Sequence, residues 1–168
     1  MLIDVSYFTE GSRHIQNASR GRLPNADAEA VNAVIKAYIR QWQLPFLRGV
    51  FTAAKAVEVN SYLNAIDKDL CAEHDEEIDK VVEQLREPFA NYVFFKMLRD
   101  ANTQATVTGL VRLKCANEYV APIQRQVNTW NDMVGMIRDF REWAKAEDYA
   151  SWLGKGDNQI TKINTLNL

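Results

Sequence analysis

Two histidines, two cysteines and twenty-two acidic residues are the chain's stock of groups for metal binding or acid–base chemistry. The densest run is Glu73-His74-Asp75-Glu76-Glu77. Helical ligands meet at spacings of three or four residues, so His74 and Glu77 could face one ion, but a second pair is missing. Carboxylates at the start of a helix are favoured by its dipole, which explains the same run without a metal. Cys71 and Cys115 lie 44 positions apart. They share neither a metal-ligand spacing nor a neighbouring histidine in a nucleophile pattern. They read as reduced, partly buried thiols, with a disulfide between them as the other reading. Asp67/Asp69 and Glu83/Glu87 have the spacing of solvated surfaces, whereas paired carboxylates doing acid–base work need a cleft that separates their pKa values. Gly154-Lys155-Gly156 lacks the rest of a phosphate-binding loop, and neither a nucleophile elbow nor a dinucleotide fingerprint occurs. No catalytic residue, metal site or cofactor is expected, and the chain reads as a protein that is not an enzyme.

Charge and length narrow the choice further. Twenty basic against twenty-two acidic residues give a net charge of −2, leaving no basic excess to neutralise a run of phosphates. Arg13, Arg20 and Arg22 form the clearest basic cluster and read as a solvated segment. Four tryptophans stand among seventeen aromatic residues. Trp42, Trp130 and Trp143 fall on helical apolar stripes and belong to a core rather than to a base-stacking platform. Trp152 lies outside the stripes and is the best single anchor for an interface. The 168 residues suit one domain with a self-supporting core. The amino terminus lacks a secretory pattern, and no stretch approaches the ~20 apolar residues that span a bilayer. A cytoplasmic protein, or one within something assembled there, is expected.

The elements that would hold these residues are mostly helices. Residues 1–5 are apolar enough to pair as a short strand or simply to pack, and Thr9 or Ser12 would cap a short helix reaching Ala18. Gly21 and Pro24 mark a loop. Asn25 then caps a long helix with Asp27 and Glu29 in its first turn. Val31, Val34, Ile35, Tyr38, Ile39 and Trp42 define its apolar face. Pro45 should kink or restart it. A second helix is expected over Ala53–Ile66 and a third over Glu76–Arg99, interrupted at Pro88. Ile35, Gln41, Pro45, Phe46, Val50 and Phe51 match Ile78, Gln84, Pro88, Phe89, Val93 and Phe94 at a constant offset of 43. That offset reads either as a duplicated kinked helix or as two amphipathic helices sharing a Pro-Phe dipeptide. Residues 103–114 are rich in β-branched residues and, with 115–120, predict a small hairpin or extended insertion, with Gly109 permitting a bend. Pro122 suits the first turn of a last helix reaching Lys145, with Ile123, Val127, Trp130, Val134, Ile137, Phe140 and Trp143 or Ala144 inward. The fold class is therefore mainly α: a helical bundle over residues 1–150, with Pro-kinked long helices and an extended C-terminal tail over 151–168. That tail carries Trp152, Leu153, Ile160, Ile163 and Leu166. It would lie along another subunit as an extended strand, or pack on its own domain.

Three stretches carry a resemblance. They are the opening Met1-Leu2-Ile3-Asp4-Val5-Ser6-Tyr7-Phe8-Thr9-Glu10-Gly11-Ser12-Arg13-His14-Ile15-Gln16-Asn17-Ala18; Tyr38-Ile39 followed by Gln43-Leu44-Pro45-Phe46-Leu47; and Thr106-Val107-Thr108-Gly109-Leu110-Val111 followed by Thr129-Trp130-Asn131-Asp132-Met133-Val134. With the Ile163-Asn164 ending, these resemble small proteins of the head–tail gene blocks of phages and prophages of gut Bacteroidetes. More broadly, the order of elements is similar to the head–tail connector (adaptor) proteins of long-tailed phages, although this chain is longer and has an extra loop after its first helix. The resemblance implies a structural neck protein that oligomerises and meets portal or tail-completion proteins, in the bacterial cytoplasm and then in the virion. A helical protein-binding or regulatory module is the alternative. Neither membrane nor nucleic acid is an expected partner. Trp152, Leu153, Ile160, Ile163 and Leu166 would be interface anchors. Deleting residues 150–168 would leave a folded protein that assembles less well.

Overall fold

A computed structural model describes residues 1–18, 26–68, 73–101, 103–106, 109–112, 122–154 and 160–166. Within them four α-helices carry the fold: α1 (Ala26–Val50), α2 (Ala53–Lys68), α3 (Glu76–Ala101) and α4 (Pro122–Ala146). The chain is mainly helical, as its apolar periodicity predicts. β1 (Thr103–Thr106) and β2 (Gly109–Arg112) pair antiparallel, with Thr103 opposite Arg112 and Thr106 opposite Gly109. These two four-residue segments make the β contribution minor. The remainder of the expected 103–120 insertion, the Asn25 cap, Arg20, Arg22, Cys71 and Cys115 lie outside the described residues or side chains.

The prolines do not end their helices. α1 runs unbroken through Pro45 and α3 through Pro88. Each proline forfeits one bond, to the carbonyl four residues earlier, while packing on either side holds both helices together. Phe46 and Phe89, which follow the two prolines, are fully buried with ring centroids 5.0 Å apart. Burying each phenyl group stabilises by roughly 2–3 kcal/mol, and the ring pair adds about 1 kcal/mol. The matched pairs Ile35/Ile78, Val50/Val93 and Phe51/Phe94 are likewise all buried. Of the matched pairs, Phe46 and Phe89 meet each other, whereas Phe51 packs on Phe140 and Trp152 and Phe94 lies under Arg125. The two prolines differ, since Pro45 is exposed and Pro88 buried.

α3 lies between α1 and α4 and is buried on a wide arc that includes Val81, Leu85, Ala90, Tyr92 and Phe95 as well as the expected stripe. On α1 the buried line is Ile35, Ile39, Phe46, Leu47 and Val50. Val34, expected on that face, is 51% exposed. It sits about 100° round the helix from Ile35 and shares the outer face with Ala30, Ala33 and Ala37.

The amino-terminal segment packs rather than pairing as a strand. Leu2, Ile3, Val5 and Phe8 are buried. Instead of one helix to Ala18 there are two short 3-10 turns, Val5–Phe8 and Gly11–Arg13. Asp4 caps the first through its carboxylate, which accepts from the Ser6 N–H at 2.7 Å. Gln43, only 2% exposed, holds the segment down. Its Oε1 accepts from the Leu2 N–H at 2.8 Å, and its Nε2 donates to Asn60 Oδ1 at 2.9 Å. A buried amide is tolerable only when satisfied in this way.

Candidate functional site

The C-terminal return is where local structure and packing combine into something specific. Just past the end of α4, Asp148 has left-handed backbone (φ 65°), and the Tyr149 N–H donates to the Ala144 carbonyl at 2.7 Å. That six-to-one bond is a Schellman ending, and it sends the chain back across the α1–α2 corner. There the Thr52 N–H donates to the Trp152 carbonyl at 2.9 Å and the Gly154 N–H to the Val50 carbonyl at 3.0 Å, with Phe51 and Leu153 bridged antiparallel. Gly154 is required at this approach: a Cβ there would lie 2.8 Å from the Phe51 carbonyl oxygen. Arg141 from α4 spans the same corner, donating to the Gly154 carbonyl at 3.3 Å and the Val50 carbonyl at 3.4 Å. Burial pushes its pKa down.

The five sequence-derived interface residues are therefore not alike. Leu153 is 7% exposed and part of the core. Trp152 is half-buried, edge-on to Phe51 and Tyr149, with the Lys55 ammonium 3.6 Å from its ring centroid. Residues 150–154 thus belong to the packed body, and a division at 150/151 cuts through it. An apolar side chain facing the α1–α2 corner gains more by closing that corner than by waiting for a partner. Ile160 reaches α1 and lies against Gly49, where a Cβ would come within 2.9 Å of its Cδ1. Ile163 is half-buried and held by main-chain contacts alone among those described. Leu166, at 91% exposure, is the one of the five that faces solvent.

The clamp on Ile163 comes from α4. Asn131 Oδ1 accepts from the Ile163 N–H at 2.9 Å, and Asn131 Nδ2 donates to the Ile163 carbonyl at 3.0 Å. One turn-edge earlier, the Trp130 indole donates to the Thr161 carbonyl at 2.7 Å. Sequence reasoning assigned Trp130 to the core stripe and gave Asn131 no role. The usable signal was a polar amide next to a tryptophan on the edge of an otherwise apolar face, together with a glycine inside α1.

The other candidates are structural fittings. His74 meets Asp79 rather than Glu77, with Nδ1 2.9 Å from Asp79 Oδ2. Asp75 is the cap of α3, accepting from the Glu77 and Ile78 N–H groups at 3.0 Å each. His74 therefore lies outside the helix, where i,i+3 spacing no longer applies. Tyr62 completes this cluster by donating to Asp79 Oδ1 at 2.7 Å. Among the described residues no three His, Cys, Asp or Glu side chains gather as a metal site. Arg13 is committed to Glu87 at 2.6 Å and Asn91 at 2.9 Å. It lines a groove of about 590 Å³ between the amino-terminal turns, α3 and α4. Arg125 on the same groove donates to the Ser12 carbonyl at 2.6 Å and lies over the Phe94 ring.

No helix of the described residues is long and apolar enough to cross a membrane. Comparison of the chain with protein-family models, with curated proteins and with solved structures gives no match.

Proposed function

We propose that the chain is a structural neck protein of a phage or prophage, similar to head–tail connectors, acting by protein–protein assembly rather than catalysis. The observation that supports this reading best is the extended segment Ile160–Ile163, laid across α1 and α4 and gripped through its main chain, with Leu166 beyond it exposed. Extended segments gripped in this way are a recurrent means of joining one protein to another. The sequence likeness at the opening, around Pro45 and around Trp130 points in the same direction. Partners would be further copies of the chain and portal or tail-completion proteins, met in the bacterial cytoplasm and retained in the virion. A helical binding or regulatory module without catalytic activity is the second reading, and the groove beside Arg13 and Arg125 is what favours it.

The test is co-assembly. The purified chain is mixed with the portal protein encoded in its own genomic neighbourhood and viewed by negative-stain electron microscopy, with mass photometry alongside. Added density on the portal ring at a fixed stoichiometry is expected. A chain that stays separate from the portal, or a neighbourhood without portal and tail genes, would sink the neck reading.

A further inference from the structure

We infer that the groove between α1 and α2 is a docking site for an acidic, extended segment of a partner protein. The groove holds about 680 Å³. Two rows at four-residue spacing line it: Arg40, Leu44 and Arg48 on α1, and Asn60, Asn64 and Lys68 on α2. Residues four apart stand one above the other on a helix, so each row presents its side chains to the same cleft. The Gln43 amide, bonded to Asn60 at 2.9 Å, ties the two rows together. Charge identifies the occupant. Arg13, Lys55 and Lys145 each pair with a glutamate of their own chain. Arg40, Arg48 and Lys68 are exposed and meet no carboxylate among the described residues. Asp67 is the single acid on the lining, and it lies 3.8 Å from the Met1 amino group. Three cations thus line one cleft of a chain whose net charge is −2. A local field of that sign draws carboxylates. Spacing selects the form of the ligand. Eight positions separate Arg40 from Arg48, a rise of about 12 Å, which three or four residues of extended chain cover. A free phosphate would engage one arginine and leave the other. A single nucleic-acid strand binds best where aromatic rings stack on its bases, and among the described residues none on this lining is aromatic. The asparagine amides beside the cations can donate to the carbonyls of a bound backbone. This inference goes beyond the neck reading and stands without it, because the partner is defined by its charge.

Fluorescence anisotropy on the full-length chain, with a labelled octapeptide of alternating Glu and Gly, tests it. Saturable binding is expected, with the Gln–Gly counterpart at least ~10-fold weaker, since charge complementarity supplies the discrimination. Raising NaCl from ~50 to ~300 mM should weaken binding several-fold, because exposed charges are screened. Arg40→Gln/Arg48→Gln should bind roughly tenfold more weakly, and Lys68→Gln on the opposite wall a few-fold more weakly. Arg138→Gln, on α4, should bind as the wild type does. All four positions are exposed, and circular dichroism verifies that each variant folds. Equal binding of the two peptides overturns the assignment, as does an affinity unchanged in both groove variants. Tighter binding of oligothymidylate than of the Glu peptide overturns it too, and so does full competition by inorganic phosphate at matched ionic strength. A salt-sensitive dimer of the chain, lost in Arg40→Gln/Arg48→Gln, would put a second copy in the groove and overturn it as well. Peptide binding without portal binding sinks the neck reading alone. Portal binding without peptide binding does the reverse.

Discussion

The Tyr38 hydroxyl donates to Asp100 Oδ2 at 2.8 Å, joining the middle of α1 to the end of α3. Burial first, and then that carboxylate, push its pKa from 10.0 up to about 12. The sign of the linkage follows from which state loses its proton first. In the unfolded chain the phenol ionises near 10, while in the folded chain it stays neutral to about 12. The stabilisation is thus fully present below pH 10 and disappears as pH rises through 12. Burial also raises the pKa of Tyr62 and of Tyr92, so absorbance at 295 nm should show one fewer late-titrating tyrosine in Tyr38→Phe than in the wild type, and the urea midpoint should fall more steeply between pH 10 and 12 in the wild type than in Tyr38→Phe. Equal slopes would mean that folding does not raise the Tyr38 phenol at all. The same single-residue scale shows where sequence reading loses its grip. Val34 sits inside a run of apolar residues and satisfies the three- and four-residue spacing, yet it is exposed. Adjacent helical positions differ by about 100°, so a continuous apolar run does not say which of two neighbours faces the core. His74 failed differently: spacing rules for helical pairs apply only inside the helix, and the cap at Asp75 leaves it outside.

At the scale of elements, periodicity and punctuation located the four helices of the described residues, because each buries large apolar residues at helical spacing, and α2, α3 and α4 start from Thr52, Asp75 and Pro122. Their continuity through proline was not legible. A proline removes one hydrogen bond locally, but whether the helix stops depends on how strongly its two halves are held, and that depends on residues far away in sequence. Pro45 is exposed, so its ring contributes little packing on the outer face of α1. Pro45→Ala restores an N–H facing the Gln41 carbonyl and removes a residue about 3 kcal/mol less favourable than alanine in a helix interior. A gain of at least ~1 kcal/mol is expected, read as a melting temperature higher by ~2–4 °C. Pro88 is buried beside Phe89, so Pro88→Ala exchanges the same backbone gain for a small void and should gain less. If both substitutions raise the melting temperature equally, the exposure of Pro45 is not what distinguishes them.

At the scale of the whole molecule, both ends of the described chain close on the same helix. Leu2 is held by Gln43, Ile160 rests against Gly49, and Leu153 bridges Phe51 just beyond the end of α1. Apolar content alone suggested that the C-terminal segment was more than a linker. It left open which subunit the segment covers, because an isolated Leu or Trp carries no direction. The structure divides that segment into two parts of different weight. Residues 150–154 fill the corner: Leu153 is in the core, and the Trp152 carbonyl and the Gly154 N–H each make a bond to the α1–α2 turn. Residues 160–163 lie on the surface of α1 and α4 through main-chain bonds and one apolar seat. Removing everything after residue 149 would expose Phe51, strip one buried leucine worth about 2–5 kcal/mol, and leave the Thr52 N–H without its acceptor. Stopping after Gly154 would keep all of that and lose the three bonds of Trp130 and Asn131, at about 1 kcal/mol each where partly exposed, together with the Ile160 seat on Gly49. The shorter chain should therefore lose most of its helical circular dichroism on mild heating, well before the longer one. The chain ending at Gly154 should still melt cooperatively, about 10 °C below the full-length protein. Identical melting of the two truncations would show that the corner is closed by α1, α3 and α4 alone. Residues 150–154 would then be free to lie along another subunit, one of the two readings the sequence left open.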